Sequence, residues 1–181
     1  MINSKCYYPD YEDEYKCKCY GNLIKSIEFQ FDERADGDDV PVSIDPTNPT
    51  QMLEVAFKKV CPGDIVWLSG VVVLDHEYEQ DLEDEEEEDK REEESANITI
   101  IIQKTSSLID TPKPIYTLEV DLAPASDDVA IPFSHVDVET TELSNVRYKV
   151  LVYSDEENPE DVDIEGPNTL TAIRFIKGNR P

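Results

Sequence analysis

Apolar and polar side chains alternate along much of this chain. Residues 27–32 show the pattern most clearly, because Ile27, Phe29 and Phe31 are each followed by a polar residue. A period of two residues is typical of a β-strand that buries one face. The pattern therefore predicts a strand here, with its apolar side chains in the core.

The same alternation recurs in short segments along the rest of the chain. Clusters of Pro, Asp, Asn and Gly separate these segments, and no long amphipathic helix is evident. Gly70 interrupts one segment and predicts a bulge or bend in that strand. The further predicted strands cover residues 40–44, 53–57, 65–74, 98–102, 116–122, 129–138, 148–152, 162–164 and 169–176.

Short strands with turn signals at this spacing predict an all-β sandwich or barrel. Their connections vary in length, which favours a jelly-roll (Greek-key) β-sandwich over a simple meander. A doubly wound α/β fold would need crossover helices, and the pattern supplies none. We therefore predict an extended N-terminal connector arm at 1–22 and one jelly-roll domain at 23–181, with an acidic insertion at about 79–95.

Cysteines are concentrated in the predicted arm, which also carries five tyrosines among charged residues. Cys6, Cys17 and Cys19 lie there, and Cys61 immediately precedes a predicted strand. Cys17 and Cys19 are too close for an unstrained mutual disulfide, so their partners would be Cys6, Cys61 or another subunit. We predict structural or inter-subunit disulfides. Free thiols and a zinc site built from all four thiolates remain alternatives, although the paired C-x₂-C spacing is missing.

The chain is strongly acidic, with a formal net charge of −26. Nucleic acids and anionic membranes are themselves negative, so we expect neither as a partner, whereas cations and basic proteins would be attracted. Residues 79–94 form an acidic low-complexity run that predicts an exposed loop or a solvated single helix. The sequence shows no secretory signal pattern and no apolar stretch of about 18 residues, so we expect no membrane insertion.

Candidate catalytic residues are few. The chain has only two histidines, His76 and His135, and neither lies in a recognisable nucleophile motif. Phosphate-loop, dinucleotide and G-x-S-x-G patterns are also missing. We expect His76 to end a strand at the surface, His135 to lie within a strand, and the protein not to be an enzyme.

One acidic turn has the composition of a calcium site. Asp32, Asp36, Asp38 and Asp39 could supply carboxylate oxygens, and Gly37 would permit a tight turn. The loop lacks the twelfth-position Glu and the flanking helices of an EF-hand. We keep calcium as a candidate ligand beside the simpler interpretation of a solvated turn.

Three segments of the C-terminal half resemble the small jelly-roll proteins of bacterial spore surfaces, in particular endospore-appendage subunits. They are residues 111–120 (TPKPIYTLEV), 148–153 (YKVLVY) and 166–173 (GPNTLTAI). The resemblance implies a jelly roll whose cysteine-bearing N-terminal connector links successive subunits.

On this basis we expect a structural subunit whose partners are copies of itself. It would form an extracellular or spore-surface filament by N-terminal strand addition and inter-subunit disulfides. Two alternatives remain open, namely a virion tail or capsid-decoration protein and a calcium-dependent binding module.

Overall fold

The computed structural model describes residues 24–34, 40–76, 95–123, 126–155 and 162–178. Within these ranges all regular structure is β-strand, and no helix is long and apolar enough to cross a membrane. The described residues form ten strands: β1 (Ile24–Arg34), β2 (Val40–Pro41), β3 (Thr50–Val60), β4 (Ile65–His76), β5 (Ala96–Ser106), β6 (Ile109–Leu122), β7 (Ser126–Val138), β8 (Leu143–Ser154), β9 (Val162–Ile164) and β10 (Asn168–Lys177). The predicted all-β class is confirmed.

The strands form two antiparallel sheets that pack face to face. In sheet 1 the order is β1-β10-β4-β7, and the short strands β9 and β2 continue the sheet beside the far end of β4. In sheet 2 the order is β3-β8-β5-β6. Most hydrogen-bonded neighbours are distant in sequence, as in a jelly roll, so the predicted jelly-roll sandwich is confirmed.

The core lies between the sheets and is formed by alternate side chains of the long strands other than β1. Val66, Leu68 and Val72 of β4 face Val150 and other buried side chains of sheet 2. Tyr148 is also fully buried, and its ring meets that of Phe57 edge to face at 6.3 Å. This two-layer arrangement follows from the period of two, because alternate side chains point to opposite faces of a strand.

β1 has the predicted alternation but with its faces reversed. Ile27, Phe29 and Phe31 are each at least 50% exposed, so the prediction that this apolar face lies in the core is wrong. The polar face points inward, where Asp32 Oδ2 accepts a hydrogen bond from the backbone N–H of Glu54 at 2.7 Å. The reason is position: β1 is an edge strand of sheet 1 and lies over β3, which is an edge strand of sheet 2.

Two details of β4 also differ from expectation. The irregularity in pairing lies between Leu74 and His76, whereas Gly70 keeps regular pairing with both neighbouring strands. Gly70 is instead required by close approach, since a Cβ there would lie 2.1 Å from the Thr169 carbonyl oxygen and 2.6 Å from Phe133 Cζ. His76 does end the strand, but it is buried and not at the surface, because β7 and β9 flank it on both sides.

Candidate interaction surface

Only one of the four candidate cysteines lies among the described residues. Cys61 is partly buried in the turn between β3 and β4, and it forms no disulfide with any residue that the structure describes. Cys6, Cys17 and Cys19 lie outside the described ranges. The predicted disulfides therefore stay predictions.

The candidate calcium loop is described at one position. Asp32 lies on β1, where its carboxylate accepts hydrogen bonds from the backbone of Glu54 and Glu33. Asp36, Asp38 and Asp39 lie outside the described residues, as does the acidic run 79–94. Among the residues with described positions, no three His, Cys, Asp or Glu side chains are grouped so as to hold a metal ion. Calcium binding stays a prediction.

An ion pair is buried at the end of the sandwich that carries the β3–β4 turn. Arg174 on β10 contacts Asp64 Oδ2 through Nη2 at 2.6 Å, and its Nη1 lies 2.9 Å from Glu28 Oε2. Burial raises the pKa of the Asp64 carboxyl, but hydrogen bonds from Cys61 N and Arg174 outweigh burial and hold this pKa below its usual value. The pair joins β10 to the turn before β4.

A second buried cluster surrounds Lys104 on β5. Its Nζ donates to Asp137 Oδ2 at 2.6 Å and to Glu139 Oε2 at 2.5 Å, and the Tyr148 hydroxyl donates to Asp137 at 2.8 Å. Burial lowers the pKa of Lys104, but the two carboxylate hydrogen bonds outweigh burial and raise it. The cluster ties sheet 2 to the end of β7, where Glu139 also accepts hydrogen bonds from the Thr141 N–H and hydroxyl.

These clusters leave no unused polar group. In the described part of the chain, every buried side-chain nitrogen and oxygen has a hydrogen-bond partner. His135, within β7 as predicted, packs its ring on Tyr116 at 5.5 Å.

An open groove between β1 and sheet 2 is lined by Glu28, Lys58 and Arg147, a mixture of charges that selects for no particular ligand. The arrangement therefore supports packing roles for these groups.

The outer face of sheet 1 is different, because apolar side chains cover it from edge to edge. The pairing register sets Ile27, Phe175, Ile65 and Val138 side by side across β1, β10, β4 and β7. The next row consists of Phe29, Ile173, Trp67 and Val136. The third row holds Phe31, Thr171, Ser69 and Ser134. Directly opposite residues of antiparallel strands share a face, so these twelve positions form one surface, called here the apolar outer face.

The exposed area of this face is large for a monomer. Its seven most accessible apolar side chains are between 37% (Ile65) and 61% (Ile27) exposed. With about 200 Å² for each fully exposed large side chain, these fractions correspond to roughly 700 Å². The largest apolar patch on a typical monomeric protein is only about 300–600 Å², and larger ones mark interaction sites.

The apolar outer face also carries no charge. Charged residues make up 32% of the chain, so about four would be expected among twelve positions, yet none of the twelve is Asp, Glu, Lys or Arg. The indole N–H in the middle of the face already has a partner within the sheet, since Trp67 Nε1 donates to Ser134 Oγ at 2.8 Å. The face can therefore be covered without leaving a charge or the indole N–H unpaired.

Acidic residues are concentrated in three connections that lie outside the described residues. The connections 35–39, 77–94 and 156–161 all leave from strand ends at the side of Arg34, His76 and Ser154. By sequence they contain 20 of the 42 acidic residues and two basic residues. The first two rows of the apolar outer face lie nearer the other end, beside the start of β4, whereas Phe31 in its third row lies three residues from Arg34.

Comparison with known proteins identifies the fold and no family. No protein-family model matches the chain, and no curated protein matches it either. The chain is similar to a protein in the structure of the Gx strain of infectious bursal disease virus, with a TM-score of 0.51 and 11% identity over 96% of this chain. It spans 38% of the length of that viral protein.

Two further solved structures give lower TM-scores. The VP2 subviral particle of infectious bursal disease virus gives a TM-score of 0.48 at 13% identity, covering 96% of this chain and 38% of that one. Eiger TNF from S. frugiperda gives 0.33 at 11% identity, covering 84% of this chain and 89% of that one. Identities this low show a shared fold alone.

Proposed function

We propose that this protein is a non-catalytic structural subunit that works by being built into an assembly. The observation that carries the proposal is the apolar outer face, an uncharged surface of roughly 700 Å² on an otherwise highly charged chain. Exposing such a surface to water is unfavourable, and covering it releases about 25 cal/mol for each Å² of apolar area. An assembly that covers this face would therefore be stabilised by it.

A virion component is the assembly that we favour. The fold is shared with a protein in the structure of the Gx strain of infectious bursal disease virus.

A filament of the endospore-appendage type is the second candidate. Cysteines at positions 6, 17 and 19 favour it, because disulfides from this segment could link neighbouring subunits. The strand β1 would not be the donated strand, since it already pairs with β10 of its own chain from Ile24 to Arg34. The donated segment would therefore be residues 1–22.

Negative-stain electron microscopy of the purified full chain tests the proposal and separates the two candidates. We expect regular particles for a virion component, and long filaments for the appendage type. Non-reducing gels add a second criterion, because a filament linked by disulfides gives a ladder that collapses with thiol. A protein that stays monomeric at every concentration, with and without thiol, would contradict both candidates.

A further inference from the structure

The apolar outer face needs an occupant, and the sequence and geometry restrict its chemistry. A basic partner could form no ion pair with the face, because none of its twelve positions carries a carboxylate. An anionic membrane would be repelled by a chain of net charge −26. What matches the face is another uncharged, flat, apolar surface.

Resting on the proposed function, we infer that a second copy of this chain covers the apolar outer face by presenting the same face. The area supports this. A standard protein interface buries about 800 Å² on each partner. The roughly 700 Å² of exposed apolar surface on this face approaches that value before its rim is counted.

The shape of the face supports the same occupant. Two β-sheets pack face to face at about 10 Å when their outer side chains interdigitate. The face alternates bulky Phe29 and Trp67 with smaller Val136, which gives a second sheet both ridges and hollows. Because the Trp67 N–H is already bonded to Ser134, the contact can exclude water at its centre.

Electrostatics decide where two such acidic chains can meet. From Trp67 to His76 the strand β4 advances nine residues, about 30 Å at roughly 3.3 Å for each residue. Along β1 the distance is shorter, since connection 35–39 begins four residues after Phe31, at about 13 Å. Both distances exceed the screening length at physiological ionic strength, about 8 Å, so repulsion from these connections is weakened at this face. Contacts at the other end of the sandwich would bring those connections together.

The test uses the full chain and two substitutions on opposite edges of the face. Phe29→Lys on β1 and Val136→Lys on β7 replace side chains that are 60% and 53% exposed, so folding should survive. Lysine lowers the net negative charge, so a loss of association cannot come from greater overall repulsion between the acidic chains and must arise at the face itself. Leu108→Lys is the matched control, since Leu108 is 71% exposed in the β5–β6 turn and lies outside the face.

Light scattering coupled to size exclusion measures the mass of each variant, and circular dichroism and thermal unfolding check its fold. We expect the wild type and Leu108→Lys to form a discrete oligomer of the 20.6 kDa chain. Each substitution on the face should weaken association at least about tenfold, and the double variant should be monomeric.

Three results would overturn the inference. One is a wild type that is monomeric at 100 μM, and another is an oligomer that both face variants leave intact. The third is a monomer that associates only after deletion of residues 1–22, which would make that segment the occupant. If both face variants still form the assemblies that electron microscopy shows for the wild type, the proposed function stands and only this inference fails.

Discussion

Arg174 and Lys104 are the two buried Arg or Lys residues in the described part of the chain, and each contacts two carboxylates. Removing one member of a buried ion pair is costly because the other charge remains without compensation. Exposed ion pairs contribute far less, since water and salt screen them. The difference can be measured within this chain.

Arg174→Met should destabilise the fold by about 3–5 kcal/mol, because Asp64 would keep a buried charge with fewer donors. Lys59→Met is the matched control, as the pair of Lys59 with Glu142 is exposed, and it should cost no more than about 1 kcal/mol. Urea unfolding of both variants measures the free energies. Equal losses would show that the Arg174 contact has no special weight.

Acid should weaken the fold through Asp64 and Glu139. Burial opposes ionisation of Glu139, but hydrogen bonds from Lys104 and Thr141 outweigh it, so its pKa lies below the usual 4.5, as that of Asp64 lies below 3.8. A lowered folded-state pKa adds stability above the unfolded value, and this stability is lost as pH falls through the folded value. Asp75 acts in the opposite direction, since burial and then Asp127 raise its pKa.

We therefore expect the free energy of unfolding to fall steeply only below about pH 4. Urea titrations between pH 7 and pH 3 measure it. Glu139→Gln should flatten the fall, because one of the two buried carboxyls with a lowered pKa is gone. A wild type whose stability drops evenly from pH 7 downward would contradict the assignment.

At the scale of elements, β4 shows how tightly the strands of sheet 1 pack. Gly70→Ala would place a methyl group against the Thr169 carbonyl and the Phe133 ring, and backbone atoms cannot move aside as a flexible side chain can. We expect a loss of about 1–3 kcal/mol, the usual cost of overpacking. Thermal unfolding measures it beside Ser69→Ala, a neighbour on the outer face that should change little. Wild-type stability in Gly70→Ala would show that β10 can shift freely.

The strands could be predicted from sequence because the period of two is a local signal. The face that each strand buries is decided by distant partners, and for β1 that partner is the polar edge of β3. The local sequence of β4 did indicate an apolar outer face, because Ile65-Val66-Trp67-Leu68 is apolar on both faces of the strand. Strands of this kind are typically covered on both sides. The ion pair of Arg174 could not be predicted from the sequence around it, because its partner Asp64 lies 110 residues away along the chain.

For the whole molecule, folding brings the ends of β1, β4 and β8 to one end of the sandwich. The acidic connections 35–39, 77–94 and 156–161 leave from these strand ends, so we expect folding to bring like charges nearer than in the unfolded chain. Repulsion between exposed charges is reduced by salt. The stability of the protein should therefore depend on ionic strength.

We expect the melting temperature to rise between about 10 mM and 300 mM sodium chloride, as the screening length falls from about 30 Å to below 8 Å. A variant with serine and glutamine in place of the acidic residues of 79–94 should show a smaller rise. Differential scanning calorimetry measures both proteins. If the melting temperature of the wild type does not change with salt concentration, the acidic connections do not repel one another measurably.

Trp67 is the only tryptophan in the sequence, and it stands in the middle row of the apolar outer face. The intrinsic fluorescence of the protein therefore reports from one known place. If copies meet at this face, water leaves the indole and its emission should move to shorter wavelength as the protein is concentrated. The chain thus carries its own optical probe, so that association could be followed in dilute, unlabelled samples.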